Sequence, residues 1–217
     1  MKKHLILMVI AAFAATITVR GQFQFGFKGG FNSTRFNTEN AWKILNNQED
    51  YKFKDTKEDI RNGYNFGIYA RVNLFGDFSF QPELYYSKKG GENTYRFEGR
   101  NAPANELIKE NMEYFSWDIP LLVHFKFLDL EILNLYAVTG PVASFKIEEK
   151  SSLSDYNEDL ISEKSKGAIW NYQLGGGISI WRLNFDVRYE WGINSVSISG
   201  LQRKGNSLLF SLGFKLF

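Results

Sequence analysis

Lys28, Arg71, Glu83, Asp118, Lys126, Asp186, Arg188 and Glu190 are the residues of this sequence best placed to do chemistry. Each sits at an alternate position of a segment whose other positions are mostly apolar. Charges of both signs on one face make either a binding site or ion path, or a paired network filling an interior. Buried charges persist when paired and hydrogen-bonded, and the near-even mixture of signs favours the paired network. His124 is the only histidine beyond His4. General-base work needs a partner within hydrogen-bond reach, and one histidine with no cysteine makes a poor transition-metal site. His124 therefore reads as a core histidine, with a hydrolase or acyltransferase role as the rival reading. The run Gly175-Gly176-Gly177 lacks GxGxxG spacing and no helix follows it. Like Gly29-Gly30, it reads as close backbone approach within strands. No residue is assigned as catalytic, cofactor-binding or metal-ligating, and no cofactor is expected.

The element that must position these charges is clearest between Trp170 and Ile193 (WNYQLGGGISIWRLNFDVRYEWGI). Trp170, Tyr172, Leu174, Gly176, Ile178 and Ile180 share one face of a first arm. After a tight turn near Trp181-Arg182, Leu183, Phe185, Val187, Tyr189, Trp191 and Ile193 share one face of a second. Asn184, Asp186, Arg188 and Glu190 take the other. Alternation with period two is β structure. A soluble sheet alternates too, as a lipocalin-like barrel would. These arms, however, run about ten residues or more, the length of a tilted membrane-crossing strand. Apolar-out and charged-in is the pattern of an outer-membrane barrel.

The same pattern recurs along the chain. Strand one is expected near Phe23 to Asn32, strand two near Tyr64 to Phe75, and strand three near Phe78 to Lys88 after a Gly76-Asp77 turn. Pro82 lacks a ladder donor and predicts a bulge. Strand four is expected near Tyr114 to Phe127. Strand five, near Leu133 to Ile147, shows no clear outward parity, and Gly140-Pro141 suggests a kink. Strand eight is expected near Ser207 to Phe217. The polar, charge-dense stretches Arg35–Asn62, Gly90–Met112, Glu148–Gly167 and Ser195–Gly205 read as long loops, with helical turns expected at Ala41–Leu45 and Pro103–Met112. Connections alternate long and short, as in outer-membrane barrels of even strand number. Trp117, Trp170 and Trp191 fall toward one end of their strands and Trp181 at the other, as two interfacial girdles. Trp42 fits neither girdle and is the loop aromatic to test for ligand binding.

Residues 1–21 (MKKHLILMVIAAFAATITVRG) have a basic start, a short apolar run and small residues before Gly21. They read as a cleaved secretory signal rather than a membrane anchor. Residues 22–217 then form one domain. Removing Lys2, Lys3 and Arg20 from the 26 basic residues leaves 23 against 24 acidic ones, which gives no electrostatic reason to expect nucleic acid. The absence of cysteine excludes a disulfide scaffold and a lipidated cysteine. No stretch after residue 21 is apolar for long enough to make a spanning helix. A closed barrel is then the remaining way to satisfy backbone groups in lipid.

FGFKGGFN, QPELYYSKKG, DIPLLVHFKF, YAVTGPVASFK and FDVRYEWGI, in that order, resemble the PorT-like outer-membrane β-barrel proteins of Bacteroidetes over essentially all of residues 22–217. The resemblance implies an all-β, eight-stranded, antiparallel up-and-down barrel in the outer membrane. It implies no assigned activity, though some members are linked to protein secretion and gliding. The terminal Phe217 resembles the signal read by barrel-insertion machinery, yet it lies on the opposite parity from Phe210, Leu212 and Phe214. The expectation is a monomeric, non-enzymatic barrel with a filled lumen and both termini periplasmic. Its partners are membrane lipid, the insertion machinery and whatever protein or surface ligand meets the external loops. A narrow channel for small solutes or ions is the alternative.

Overall fold

The computed structural model describes residues 23–38, 51–99, 106–130, 132–151, 168–198 and 201–217. The signal segment, Trp42 and the helical turn at Ala41–Leu45 lie outside them. The strands are β1 (Phe23–Thr38), β2 (Tyr51–Phe75), β3 (Phe78–Gly99), β4 (Glu106–Asp129), β5 (Leu133–Ser151), β6 (Ile169–Ile180), β7 (Leu183–Gly192), β8 (Val196–Ile198) and β9 (Leu201–Lys215). Consecutive strands pair antiparallel from β1 to β7, β7 pairs β9, and β9 returns to β1. Eight strands thus close the barrel, while the three-residue β8 pairs only the start of β9. Closure leaves no sheet edge within the band that lipid surrounds.

The wall is inverted relative to a soluble protein. On β7, Phe185, Val187 and Tyr189 face outward and exposed while Asp186, Arg188 and Glu190 are buried. The inward row of β5, which alternation left open, is Tyr136, Val138, Gly140, Val142 and Ser144. Its parity was hidden because two of its lumen-facing residues are valines. Val138 meets inward Leu122 and Tyr136 in a small apolar cluster. The ladder passes Pro82 without a slip in register, so the bulge expected there is absent. The register slips instead near Ile60/Tyr64, Asn73/Phe75, Phe115/Ser116 and Lys126/Leu128.

The long stretches expected as loops are in large part strand. β1 and β2 extend into Arg35–Asn62, and β3 and β4 extend into Gly90–Met112, pairing as far as Tyr51 with Gly99 and Phe97 with Glu106. Residues 106–112 are therefore extended rather than helical. β5 runs on to Ser151, and Ser195–Gly205 holds the β8–β9 ribbon. Strands of 22–25 residues far exceed the roughly 9–11 needed to cross a bilayer. The wall of β2 to β4 therefore rises well past the membrane at one end, here the loop end. At the other, the turn end, Gly76-Asp77 and Trp181-Arg182 make two-residue turns. Gly76 (φ 51°) and Trp181 (φ 54°) hold the left-handed first position of those turns. That conformation is costly for a tryptophan, and the exposed ring is held in the aromatic belt by Arg182 at 5.3 Å.

Phe217 resolves its parity conflict through a bulge, since Leu216 and Phe217 both bond Phe25 of β1. Regular pairing of β9 ends at Lys215. The Phe217 carbonyl then accepts a hydrogen bond from the Phe25 amide at 3.0 Å. Its ring rests on Phe23 and Phe25 at 5.9 and 5.8 Å, on the outer face with its neighbours. A second belt lies nearer the loop end, where Phe66, Tyr86 and Trp117 touch in series and Tyr172 and Tyr189 flank Trp191. On β7, the span from Leu183 to Trp191 covers ~20 Å of barrel axis at a ~40° tilt and ~3.3 Å per residue. That is close to the apolar band of this class of barrel.

Candidate functional site: the filled lumen

Two ion clusters occupy the middle of the barrel. In the first, Lys28 Nζ lies 3.1 Å from Glu83 and 2.6 Å from Asp186. The Arg188 guanidinium donates to both Glu83 oxygens, at 2.6 and 2.9 Å, and lies 3.4 Å from Asp186. This is the fork geometry that suits arginine and carboxylate. In the second, Lys89 Nζ contacts Asp118 at 3.0 Å and Glu190 at 2.7 Å. Gln173 joins the two: its amide donates to Glu190 at 2.7 Å, and its oxygen accepts from Arg188 at 3.5 Å. The Lys28 and Glu83 side chains have no exposed surface at all.

Six of the eight charges expected inside therefore meet in these clusters, and two do not. Lys126 is half-buried and pairs with Asp129 beside the turn. Arg71 is buried, but its Nε donates to Gln81 at 2.7 Å and Nη1 to Gln24 at 3.4 Å rather than to a carboxylate. Lys89, the cation shared by the two carboxylates of the second cluster, was missed because β3 was expected to stop one residue earlier. Its signal was present, since Gln81, Glu83, Tyr85, Ser87 and Lys89 continue one inward row.

His124 is buried, with its ring stacked on Tyr136 at a centroid distance of 4.5 Å. Neither ring nitrogen has a hydrogen-bond partner. The ring packs inside the barrel, the core position expected for it. Tyr136 in turn donates to Asp186 at 2.7 Å, which ties this aromatic layer to the first ion cluster. The glycines of β6 make that layer fit. A Cβ on inward Gly177 would press first on the Phe185 carbonyl oxygen of β7 and lie 2.6 Å from Tyr136 Oη and 2.7 Å from Cζ, and Tyr136 is held by its bond to Asp186. Gly177→Val is therefore expected to destabilise the barrel by about 1–3 kcal/mol through overpacking, measured as a lower urea midpoint in detergent micelles. An unchanged midpoint would mean that both the facing β7 backbone and the tyrosine have room to move.

Toward the loop end the filling becomes apolar. Phe36, Met112, Tyr114 and Ile169 form a buried cluster, with Phe36 and Tyr114 rings 5.7 Å apart and Arg203 against the Met112 sulfur. Sequence patterning did not find this layer, because Phe36 and Met112 lay in stretches read as loops.

A family model for the outer membrane protein beta-barrel domain matches residues 13–197. The chain belongs to that family. It is an integral outer-membrane barrel, and its charged rows are lumenal. No curated protein matches it. Among solved structures it is similar to OprG from Pseudomonas aeruginosa, with 12% identity, 90% of this chain and 96% of that one covered, and a TM-score of 0.48. It is also similar to Ail, the attachment invasion locus protein of Yersinia pestis, with 13% identity, 90% and 99% coverage and a TM-score of 0.43. Neisserial surface protein A has 10% identity, 88% and 96% coverage and a TM-score of 0.43.

Proposed function

We propose that this barrel is a non-enzymatic, non-conducting outer-membrane protein that acts through its loop end. The observation that carries this reading is the lumen: two ion clusters and an apolar layer lie across the path a solute would take. An eight-stranded barrel encloses an interior that side chains just fill, and here the filling is paired charge. The uneven wall beyond the bilayer, with its loops, is then the surface left for recognition, as is usual for loops on a rigid scaffold.

On this reading residues 1–21 are a cleaved signal, and both described termini sit in the periplasm, leaving the tall β2–β4 wall outside. The resemblance of QPELYYSKKG and FDVRYEWGI to the PorT-like barrels of Bacteroidetes supports a binding or assembly role linked to secretion. Phe217, packed on Phe23 and Phe25, is the residue offered to the insertion machinery. In planar bilayers the purified full chain is expected to give no discrete openings. Stepwise conductance would establish the channel alternative instead. His124→Ala is expected to leave lipid and peptide profiles unchanged, and loss of an activity in that variant would overturn the non-enzymatic reading.

A further inference from the structure

The turn end of the lumen holds a feature that the function proposed above does not use. A cavity of about 80 Å³ opens there, lined by inward residues that include Arg71, His124, Asn134, Lys126 and Lys215, with Asp77 at its rim. That is several times the roughly 10–15 Å³ a single water requires, so it has room for an ion of a few heavy atoms.

Arg71 sets the chemistry of this cup. Its guanidinium lies over the Tyr136 ring at 5.3 Å and the Tyr69 ring at 6.0 Å, while Gln81 and Gln24 hold Nε and Nη1. The group is therefore fixed in place, and its Nη2 is buried with no partner. The nearby cluster of Lys28, Arg188, Glu83 and Asp186 is internally balanced and supplies no spare negative charge. Beside Arg71, both His124 ring nitrogens are also without partners. A neutral imidazole carries one N–H donor, so His124 adds a second donor to the same cup. The Asn134 oxygen is unpartnered too, and its amide presents either a donor or an acceptor by rotation. Arg71, Lys126, Lys215 and Asp77 line the opening; Lys126 is already paired with Asp129, so Arg71 and Lys215 carry the positive charge left for a ligand.

A buried, immobilised guanidinium with an open donor, a second donor beside it and a cationic rim is suited to an anion whose several oxygens accept at once. We infer that the turn-end cup is a binding site for a small oxyanion, seated on Arg71 and His124 and drawn in by Lys215. Chloride offers no such set of directed acceptors and should compete poorly.

The test uses the full chain, folded in detergent micelles, with side-chain nitrogen NMR signals of Arg71 and His124 as readout. Phosphate, sulfate and acetate are titrated against chloride at matched ionic strength. Saturable shifts of both signals with an oxyanion, and not with chloride, are expected. A response confined to phosphate and sulfate identifies a tetrahedral ligand; an equal response to acetate identifies a carboxylate. Arg71→Gln is expected to weaken binding about tenfold or more, the loss of a charge-assisted contact. Lys215→Ala, at the half-buried rim, perturbs folding less and is expected to weaken it severalfold. Shifts that follow ionic strength whatever the anion, or an affinity unchanged in Lys215→Ala or in folded Arg71→Gln, would overturn the inference.

Discussion

Glu83→Ala is expected to cost the barrel about 3–5 kcal/mol, the penalty for stripping one partner from a fully buried ionic cluster. Glu83 receives Lys28 and both terminal nitrogens of Arg188. Without it, two cations share Asp186 alone in a space from which water is excluded. Urea unfolding in phospholipid vesicles, followed by tryptophan fluorescence, measures the loss. A change below about 1 kcal/mol would show that solvent reaches the cluster and that the lumen is more open than its geometry implies. Replacing the whole set, as in Lys28→Met with Glu83→Met, Asp186→Leu and Arg188→Met, should cost far less, since no charge is then left unpaired. That contrast separates the burden of an orphaned ion from the value of the cluster itself.

Val187→Arg is the second large effect, expected at about 2–4 kcal/mol if Val187 faces hydrocarbon near mid-depth. Val187 is 49% exposed, whereas its neighbours Asp186 and Arg188 are each 2% exposed. Only a wall bathed in lipid penalises a cation at such an exposed position. The cost should fall to about 0–1 kcal/mol for Ile193→Arg, near the edge of the band and just beyond Trp191. The same vesicle titration reads both. Equal and negligible effects at the two positions would mean that this face meets water, and the inside-out reading of the barrel would fall.

The alternation from Leu183 to Trp191 made the inversion legible, because each successive residue faces a different medium. Hydrocarbon lies on one side and a crowded polar interior on the other. The same contrast placed Lys28, Glu83, Asp186 and Arg188 inside and put Trp117, Trp170, Trp181 and Trp191 outside, where the structure has them exposed. Where that contrast weakens, so does the signal. On β5, Val138 and Val142 face the lumen and look no different from residues facing lipid. Beyond the membrane both faces of the wall lose the hydrocarbon, so Lys57-Glu58-Asp59 reads as loop although it pairs with Asn93 and its neighbours in β3.

Sequence by itself thus determined the barrel class, the inward row of charges and the aromatic ends of the membrane band. Each follows from residue type and a period of two along one strand. Tertiary structure alone decided which charges meet. Lys28 reaches Glu83 across 55 positions of chain, and Arg188 reaches Glu83 across 105. It also decided that Arg71 stands apart on two tyrosine rings, and that Phe36, Met112, Tyr114 and Ile169 converge near the loop end. The physical reason is that parity fixes the face of a side chain, while its partner across the lumen depends on the register and closure of the whole barrel.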